Sequence, residues 1–160
     1  MPFHPQTVHF PIATLIVAGA LYFYGWVKRS NAYTKAAFLL HIIGVGGLVL
    51  AVLSGRQANG EIVHTNNISS MIETHELIAY ISTWLFSMLL IWQYLRQEKI
   101  KRIEEALFSI LFIIFLGIMG YGSHIGGRMV YEEGAGVIPM KETLEKQAKV
   151  EQLNNQTQPQ

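Results

Sequence analysis

Residues 32–53 read AYTKAAFLLHIIGVGGLVLAVL, an apolar run of about 20 residues whose one charged side chain, Lys35, lies near its beginning. Three further runs of this kind cover residues 8–27, 72–95 and 106–124. A helix of about 20 apolar residues is long enough to cross the hydrocarbon core of a bilayer. The sequence therefore predicts an all-α transmembrane bundle of four helices that run alternately up and down.

The overall composition supports one membrane domain. Hydrophobic residues make up 51% of the chain and charged residues only 14%, whereas a soluble domain carries about a quarter charged residues. The four apolar runs use most of the chain, so no second folded domain is expected. We predict a membrane domain at residues 1–140 and a polar tail at residues 141–160 that is partly helical or disordered.

The chain contains no cysteine, which excludes several kinds of chemistry. A disulfide, a thiolate metal site, an iron–sulfur cluster and covalent attachment of c-type haem all need that side chain. A metal ion or cofactor would have to be held by histidine, carboxylate, methionine or backbone groups. The formal charge of +1 is not concentrated in a basic cluster, so nucleic acid is not an expected partner.

The distribution of basic residues predicts the orientation in the membrane. Basic residues are concentrated in the first and third connectors, and few lie near the helix ends on the opposite side. The first connector has Lys28, Arg29 and Lys35, the third has Arg96, Lys99, Lys101 and Arg102, and the opposite side has Arg56 and Arg128. Because basic loops stay in the cytoplasm, we expect both termini on the periplasmic side of a bacterial inner membrane.

Histidines in the apolar runs are the candidate functional residues, because an ionisable side chain in a membrane is costly. His9, His75 and His124 lie at the predicted outer helix ends and therefore at similar depth. His41 lies roughly 20 Å deeper, from the rise per helical residue. It is a weaker candidate as an iron ligand, and its ordinary role would be a hydrogen bond within the bundle. His4 lies in the exposed segment before the first run, and no functional role is expected for it.

The histidines at the outer end suggest a haem site. Helices one and three are diagonal neighbours in an up-and-down bundle, so His9 and His75 are the preferred axial pair for haem b. His124 is an alternative ligand or a hydrogen-bonding neighbour. Arg56 and Arg128, on the same side, are candidate partners for the haem propionates.

Glycines near two of the histidines have two interpretations. Gly117 and Gly120 share a helical face with His124, and Gly44 shares one with His41. Such glycines either admit a flat cofactor or allow close helix packing, and packing is the common role of small residues in membrane helices.

Other functions fit the same residues. His9, His75 and His124, with Glu73 and Glu76 nearby, are suitable ligands for Zn, Cu or non-haem Fe. The histidines would otherwise have a structural role, such as tying the N-terminus to a neighbouring helix, in a protein that scaffolds partners. A proton pump is not expected, because no ladder of carboxylates crosses the bundle.

A family resemblance adds to these expectations. The opening at residues 4–13, HPQTVHFPIA, resembles the HPxxVHFPIA opening of a bacterial four-helix membrane family of unknown function. The resemblance continues through Leu53-Ser54-Gly55 and Thr74-His75-Glu76 to the GSHIGG sequence at residues 122–127, and it extends to residue 137.

Related membrane modules are attached to cytochrome c domains and often carry a GHxGG sequence in helix four. The resemblance therefore implies membrane electron transfer with His9, His75 and His124 as the haem-binding residues. This chain differs in the inserted Ser123, in Glu132-Glu133 where many relatives have a histidine, and in having no cytochrome c domain. We expect an electron-transfer subunit, with a cytochrome c or another redox subunit as its partner, rather than a stand-alone enzyme.

Overall fold

The computed structural model describes residues 4–96, 100–137 and 140–157, so Lys99 and the end of the predicted tail lie outside the described residues. The described residues form five α-helices. They are α1 (His4–Lys28), α2 (Asn31–Asn59), α3 (Asn66–Arg96), α4 (Arg102–Tyr131) and α5 (Lys141–Thr157). The first four are long and apolar enough to cross a membrane. The predicted all-α fold with four candidate spans is confirmed.

The four long helices form an up-and-down bundle. Each packs against the next in the chain, and α1 also packs against α4, so α1 is diagonal to α3 and α2 to α4. The starts of α1 and α3 meet the ends of α2 and α4 at one end of the bundle, which we name the His4 end. The ends of α1 and α3 meet the starts of α2 and α4 at the opposite end, which we name the connector end.

The helices extend beyond the apolar runs at the His4 end. α2 continues to Asn59, and α3 begins at Asn66, six residues before the apolar run. Thr65 caps α3, because its side-chain hydroxyl accepts a hydrogen bond from the Ile68 backbone N–H at 3.3 Å. The bundle therefore projects past the hydrocarbon core at this end.

Two glycines of α2 allow α1 to approach closely. A Cβ atom on Gly44 would lie 2.6 Å from Cγ of Leu15, and one on Gly47 would lie 2.9 Å from Cβ of Pro11. Both distances are shorter than side chains tolerate, so only glycine fits without a shift. The glycine face of α2 thus has the packing role typical of small residues in membrane helices.

Aromatic rings fill the middle of the bundle. Phe112 lies 5.0 Å from Phe86 and 5.3 Å from Tyr22 between ring centres, and Tyr22 lies 4.7 Å from Phe108. Large apolar side chains also point outward, among them Trp84 at 63% exposure. Apolar residues on the outside as well as inside are what a bilayer requires, since lipid replaces water around the bundle.

A second apolar cluster closes the His4 end. Leu144 of α5 packs with Ile68, Met129 and Ala135. The backbone N–H of Asn66 donates to the Glu151 carboxylate at 2.8 Å. Gly134 and Gly136 have positive φ angles of 68° and 75°, which favour glycine and turn the chain after α4. The front of the tail is therefore a helix that packs on the cap of the bundle.

The close approach of α1 and α2 predicts a stability difference between two glycine substitutions. Gly44→Ala should lower the free energy of unfolding by about 1–3 kcal/mol relative to Gly46→Ala, because the new methyl group overlaps Leu15. A Cβ atom on Gly46 would have nothing within 4 Å, so Gly46→Ala serves as the control. Unfolding of the purified protein by SDS in mixed micelles measures both. Equal stability of the two variants would contradict the packing.

Candidate functional site

His75 of α3 is held in a defined orientation at the His4 end. Its Nδ1–H donates to the backbone carbonyl of Gly122 in α4 at 2.8 Å. Because a neutral imidazole carries one proton, this hydrogen bond leaves the lone pair on Nε2. A histidine fixed through one ring nitrogen and free to bind through the other is the usual arrangement of a metal ligand.

His4 of α1 is held in the same way by α2. Its Nδ1 lies 3.0 Å from Oγ of Ser54, and the Ser54 hydroxyl donates to the Ala51 carbonyl at 3.0 Å. Oγ1 of Thr7 lies 2.8 Å from Oγ of Ser54 and completes the polar cluster. When the Ser54 proton goes to Ala51, Ser54 accepts from His4 Nδ1–H, because a hydroxyl has only one proton. In that arrangement the lone pair of His4 is also on Nε2.

The rings of His4 and His75, on the diagonal helices α1 and α3, are in edge-to-face contact. Their centres are 6.3 Å apart and their planes are 82° to one another. With metal–nitrogen bonds of about 2 Å and ring centres about 1 Å beyond the nitrogens, two imidazoles on opposite sides of one metal have centres about 6 Å apart. The separation of the ring centres is thus compatible with two histidines that would hold one metal atom.

Glycine backbones from the other two helices contact these rings. A Cβ atom on Gly55 of α2 would lie 3.0 Å from Cε1 of His4, and one on Gly126 of α4 would lie 3.0 Å from Cε1 of His75. All four membrane helices therefore contribute to the site: two supply imidazoles, and two supply small residues that leave room for them.

The structure does not bring His9 or His124 to this pair. His9 is exposed on α1, where its Nδ1–H donates to the backbone carbonyl of Pro5. His124 is exposed on α4, as are Gly117 and Gly120, where an added Cβ atom would have nothing within 4 Å. Of the three histidines expected at the outer end, only His75 faces the interior.

His41 occupies the aromatic core rather than the His4 end. It is fully buried, and its Nε2–H donates to the Phe86 carbonyl at 3.0 Å. The Tyr22 hydroxyl lies 3.5 Å from Nδ1 of His41. The ring centres of Phe112 and His41 are 4.9 Å apart. His41 has the hydrogen bond within the bundle that its depth suggested.

The charged candidates lie on the surface. Arg128 donates to Glu132 one turn along α4 at 2.8 Å, and both side chains are about half exposed. Arg56 and Glu73 are exposed, and Glu76 accepts a hydrogen bond from the Tyr80 hydroxyl. Within residues 4–96, 100–137 and 140–157, no group of three or more His, Cys, Asp or Glu side chains is arranged to hold a metal ion.

Comparison with protein families identifies the chain. A family model described as "Predicted membrane protein (DUF2231)" matches residues 1–139. The chain belongs to this family. The match covers the four-helix bundle and confirms the resemblance to a four-helix membrane family of unknown function. Comparison with curated proteins gives no match, and comparison with solved structures gives none either.

His4 is the site residue that sequence reasoning missed. The expectation that it has no role rests on its position before the first apolar run, whereas α1 begins at His4 itself. The sequence does contain a sign that His4 faces the interior. His4 precedes Pro11 by seven residues and Leu15 by eleven, and these spacings return to the same face of a helix. His9 lies on a different face.

The contact between Gly126 and His75 can be tested with a methyl group. Gly126→Ala should shift the His75 ring nitrogen resonances in ¹⁵N-histidine NMR spectra, because the added carbon presses on Cε1 and disturbs the hydrogen bond to Gly122. Gly127→Ala is the matched control, since a Cβ there has nothing within 4 Å. Identical His75 resonances in the two variants would show that the ring is not seated as described.

Proposed function

We propose that this chain is a membrane b-type cytochrome-like electron-transfer subunit that holds haem b at the His4 end through His4 and His75. The observation that carries the proposal is the pair of diagonal imidazoles with ring centres 6.3 Å apart. Haem, when bound, supplies a one-electron couple whose potential is set by its axial ligands and surroundings. The protein contributes the ligands, their orientation and burial from water.

The hydrogen bonds around the pair support this assignment. The Gly122 carbonyl and the Ser54 hydroxyl are acceptors for the two Nδ1–H groups, and this arrangement leaves the Nε2 lone pair of each ring available to a ligand. Partners of this kind orient ligating histidines and raise their basicity. His4 thus replaces His9 as the proposed haem ligand on α1, and His75 remains the proposed ligand on α3. His9 and His124 are secondary candidates because both are exposed.

The competing proposal is a non-redox membrane protein that binds Zn, Cu or non-haem Fe, or scaffolds partners, through the same histidines. A structural zinc site takes four ligands in a tetrahedron. The described residues offer two imidazoles at the His4 end and no third His or carboxylate arranged with them. Two imidazole ligands suit a macrocycle that supplies four more nitrogens, so haem is favoured.

The proposed setting follows from the basic connectors. We infer that both termini and the His4 end face the periplasm of a bacterial inner membrane, with the connectors in the cytoplasm. A cytochrome c or another redox subunit would then exchange electrons at the periplasmic face. Arg56 and Arg128, both exposed at this end, are the candidate partners for the propionates or for an acidic surface of that subunit.

The haem assignment predicts different effects for five histidine substitutions. His4→Ala and His75→Ala should each abolish the reduced-minus-oxidised haem spectrum of the purified protein, because each removes an axial ligand. His9→Ala, His124→Ala and His41→Ala should retain most of the signal at equal protein levels, since these side chains do not face the site. Pyridine haemochrome analysis identifies the haem type, and elemental analysis measures Zn, Cu and Fe.

Two results would overturn this proposal. If the correctly assembled native protein contains no haem, the function is wrong, and a bound metal without porphyrin would favour the competing proposal. If His9→Ala loses the signal while His4→Ala keeps it, the axial pair is wrong. Melting curves of each variant separate loss of ligand from loss of fold.

The orientation can be tested with single cysteines, because the chain has none. Glu61→Cys, exposed after α2, should react with a membrane-impermeant maleimide in intact spheroplasts. Lys35→Cys, exposed at the connector end, should react only after the membrane is permeabilised. The reverse pattern would place the basic connectors outside and reject the proposed orientation.

A further inference from the structure

A small polar cleft lies at the connector end, far from the histidine pair. Residues from α1, α2, α3 and α4 line it, together with Ile100 before α4. The other lining residues are polar or aromatic: Tyr22, Trp26, Thr34, Gln93, Glu105, Phe108 and Ser109. Thr34 and Glu105 belong to the first turns of their helices, so the cleft begins at the connector surface and extends inward to Tyr22.

One buried polar group of the cleft has no hydrogen bond partner among the described residues: the indole Nε1–H of Trp26. The side chain of Gln93, which is only 4% exposed, lines the same cleft. A buried polar group without a partner is costly, especially within a bilayer. Water in the cleft would satisfy the Trp26 indole.

One residue that lines the cleft, Tyr22, contacts His41. Tyr22 lines the cleft, and its hydroxyl donates to Nδ1 of His41 at 3.5 Å. Nδ1 must be the acceptor, because the His41 Nε2–H donates to the Phe86 carbonyl. The other rings against His41 come from Phe86, Phe108 and Phe112, which carry no proton to exchange. Tyr22 is thus the polar contact between His41 and the cleft.

We propose that the cleft holds water and forms, with the Tyr22 hydroxyl, a proton-access route from the connector end to His41. A proton added to the water would pass to the Tyr22 oxygen as the Tyr22 hydroxyl proton moves to His41 Nδ1. The ring gains one positive charge, and no electron moves. Glu105, half-buried in the first turn of α4, provides a proton acceptor at the entrance.

The route ends at His41 and does not cross the bundle. On its far side the ring meets the Phe86 carbonyl and the packed rings of Phe86 and Phe112. The buried hydroxyl of Ser82, one turn before Phe86 in α3, makes no hydrogen bond to His41 or to any other described residue, so it does not extend the route. His41 therefore exchanges protons with one side of the membrane only. This inference does not depend on haem, so it can be tested independently of the proposed function.

Water-edited solid-state NMR of the ¹⁵N- and ¹³C-labelled full chain in lipid vesicles tests the route. Magnetisation from water should reach the Gln93 amide and the Trp26 indole about as fast as it reaches exposed connector residues. The Trp84 indole, which faces lipid, provides the slow reference. Transfer to the His41 ring should fall roughly threefold or more in Tyr22→Phe, because the exchanging hydroxyl that relays it is removed.

Matched variants separate the effect of the route from a general effect of substitution. Tyr94→Phe removes the hydroxyl of an exposed tyrosine on α3 and should leave transfer to His41 unchanged. Gln93→Leu replaces the amide that lines the cleft by an apolar side chain of similar size and should reduce transfer to both Trp26 and His41. The proposal is wrong if Gln93 and Trp26 in the native protein are as slow as Trp84. Equal transfer to His41 in Tyr22→Phe and Tyr94→Phe would also overturn it.

Discussion

The close fit of α1 against α2 determines which side chains can act inside this bundle. Pro11 and Leu15 pack against the bare backbone at Gly47 and Gly44, and this contact fixes the rotation of α1 about its axis. His4 and Tyr22 lie on the same face of α1, seven residues to either side of that pair. The same rotation that brings His4 to His75 therefore brings Tyr22 to His41, and it directs His9 outward.

Sequence reasoning predicted the helices and their depths but not their rotation. Hydropathy located the four candidate spans, because the bilayer sets a minimum length for an apolar helix. The rotation of each helix about its own axis was harder to predict, since membrane helices are apolar on all sides and carry no strong polar face. Depth alone favoured His9 over His4 and grouped His124 with them. The exposed positions of His9, His124, Gly117 and Gly120 depend on tertiary packing that depth does not contain.

The glycines also show that the sequence does not reveal which side of a helix faces a neighbouring helix. Gly44, Gly55 and Gly126 each lie against a side chain of a neighbouring helix, whereas Gly46, Gly117 and Gly120 have open space beside them. All are glycines in apolar helices, and their sequence neighbourhoods do not separate the two groups. The distinguishing feature is whether a helix lies opposite, which becomes known only when the bundle is assembled.

The bundle keeps its polar groups in two separate places. The cluster at the His4 end contains Ser54, Thr7 and the two imidazoles, and the cleft at the connector end contains Gln93 and Tyr22. Between them lie the rings of Phe86 and Phe112 in contact with His41. A layer of apolar rings thus separates the polar groups of the two ends.

The apolar cap at the His4 end carries a consequence for biogenesis. Its residues come from the start of α3, from the end of α4 and from α5, as Ile68, Met129 and Leu144 show. Two complete membrane crossings separate the first of these from the other two along the chain. The cap can therefore close only after both crossings are made and α5 has reached the same side. Its closure marks the completion of insertion, and a chain arrested earlier leaves Ile68 uncovered.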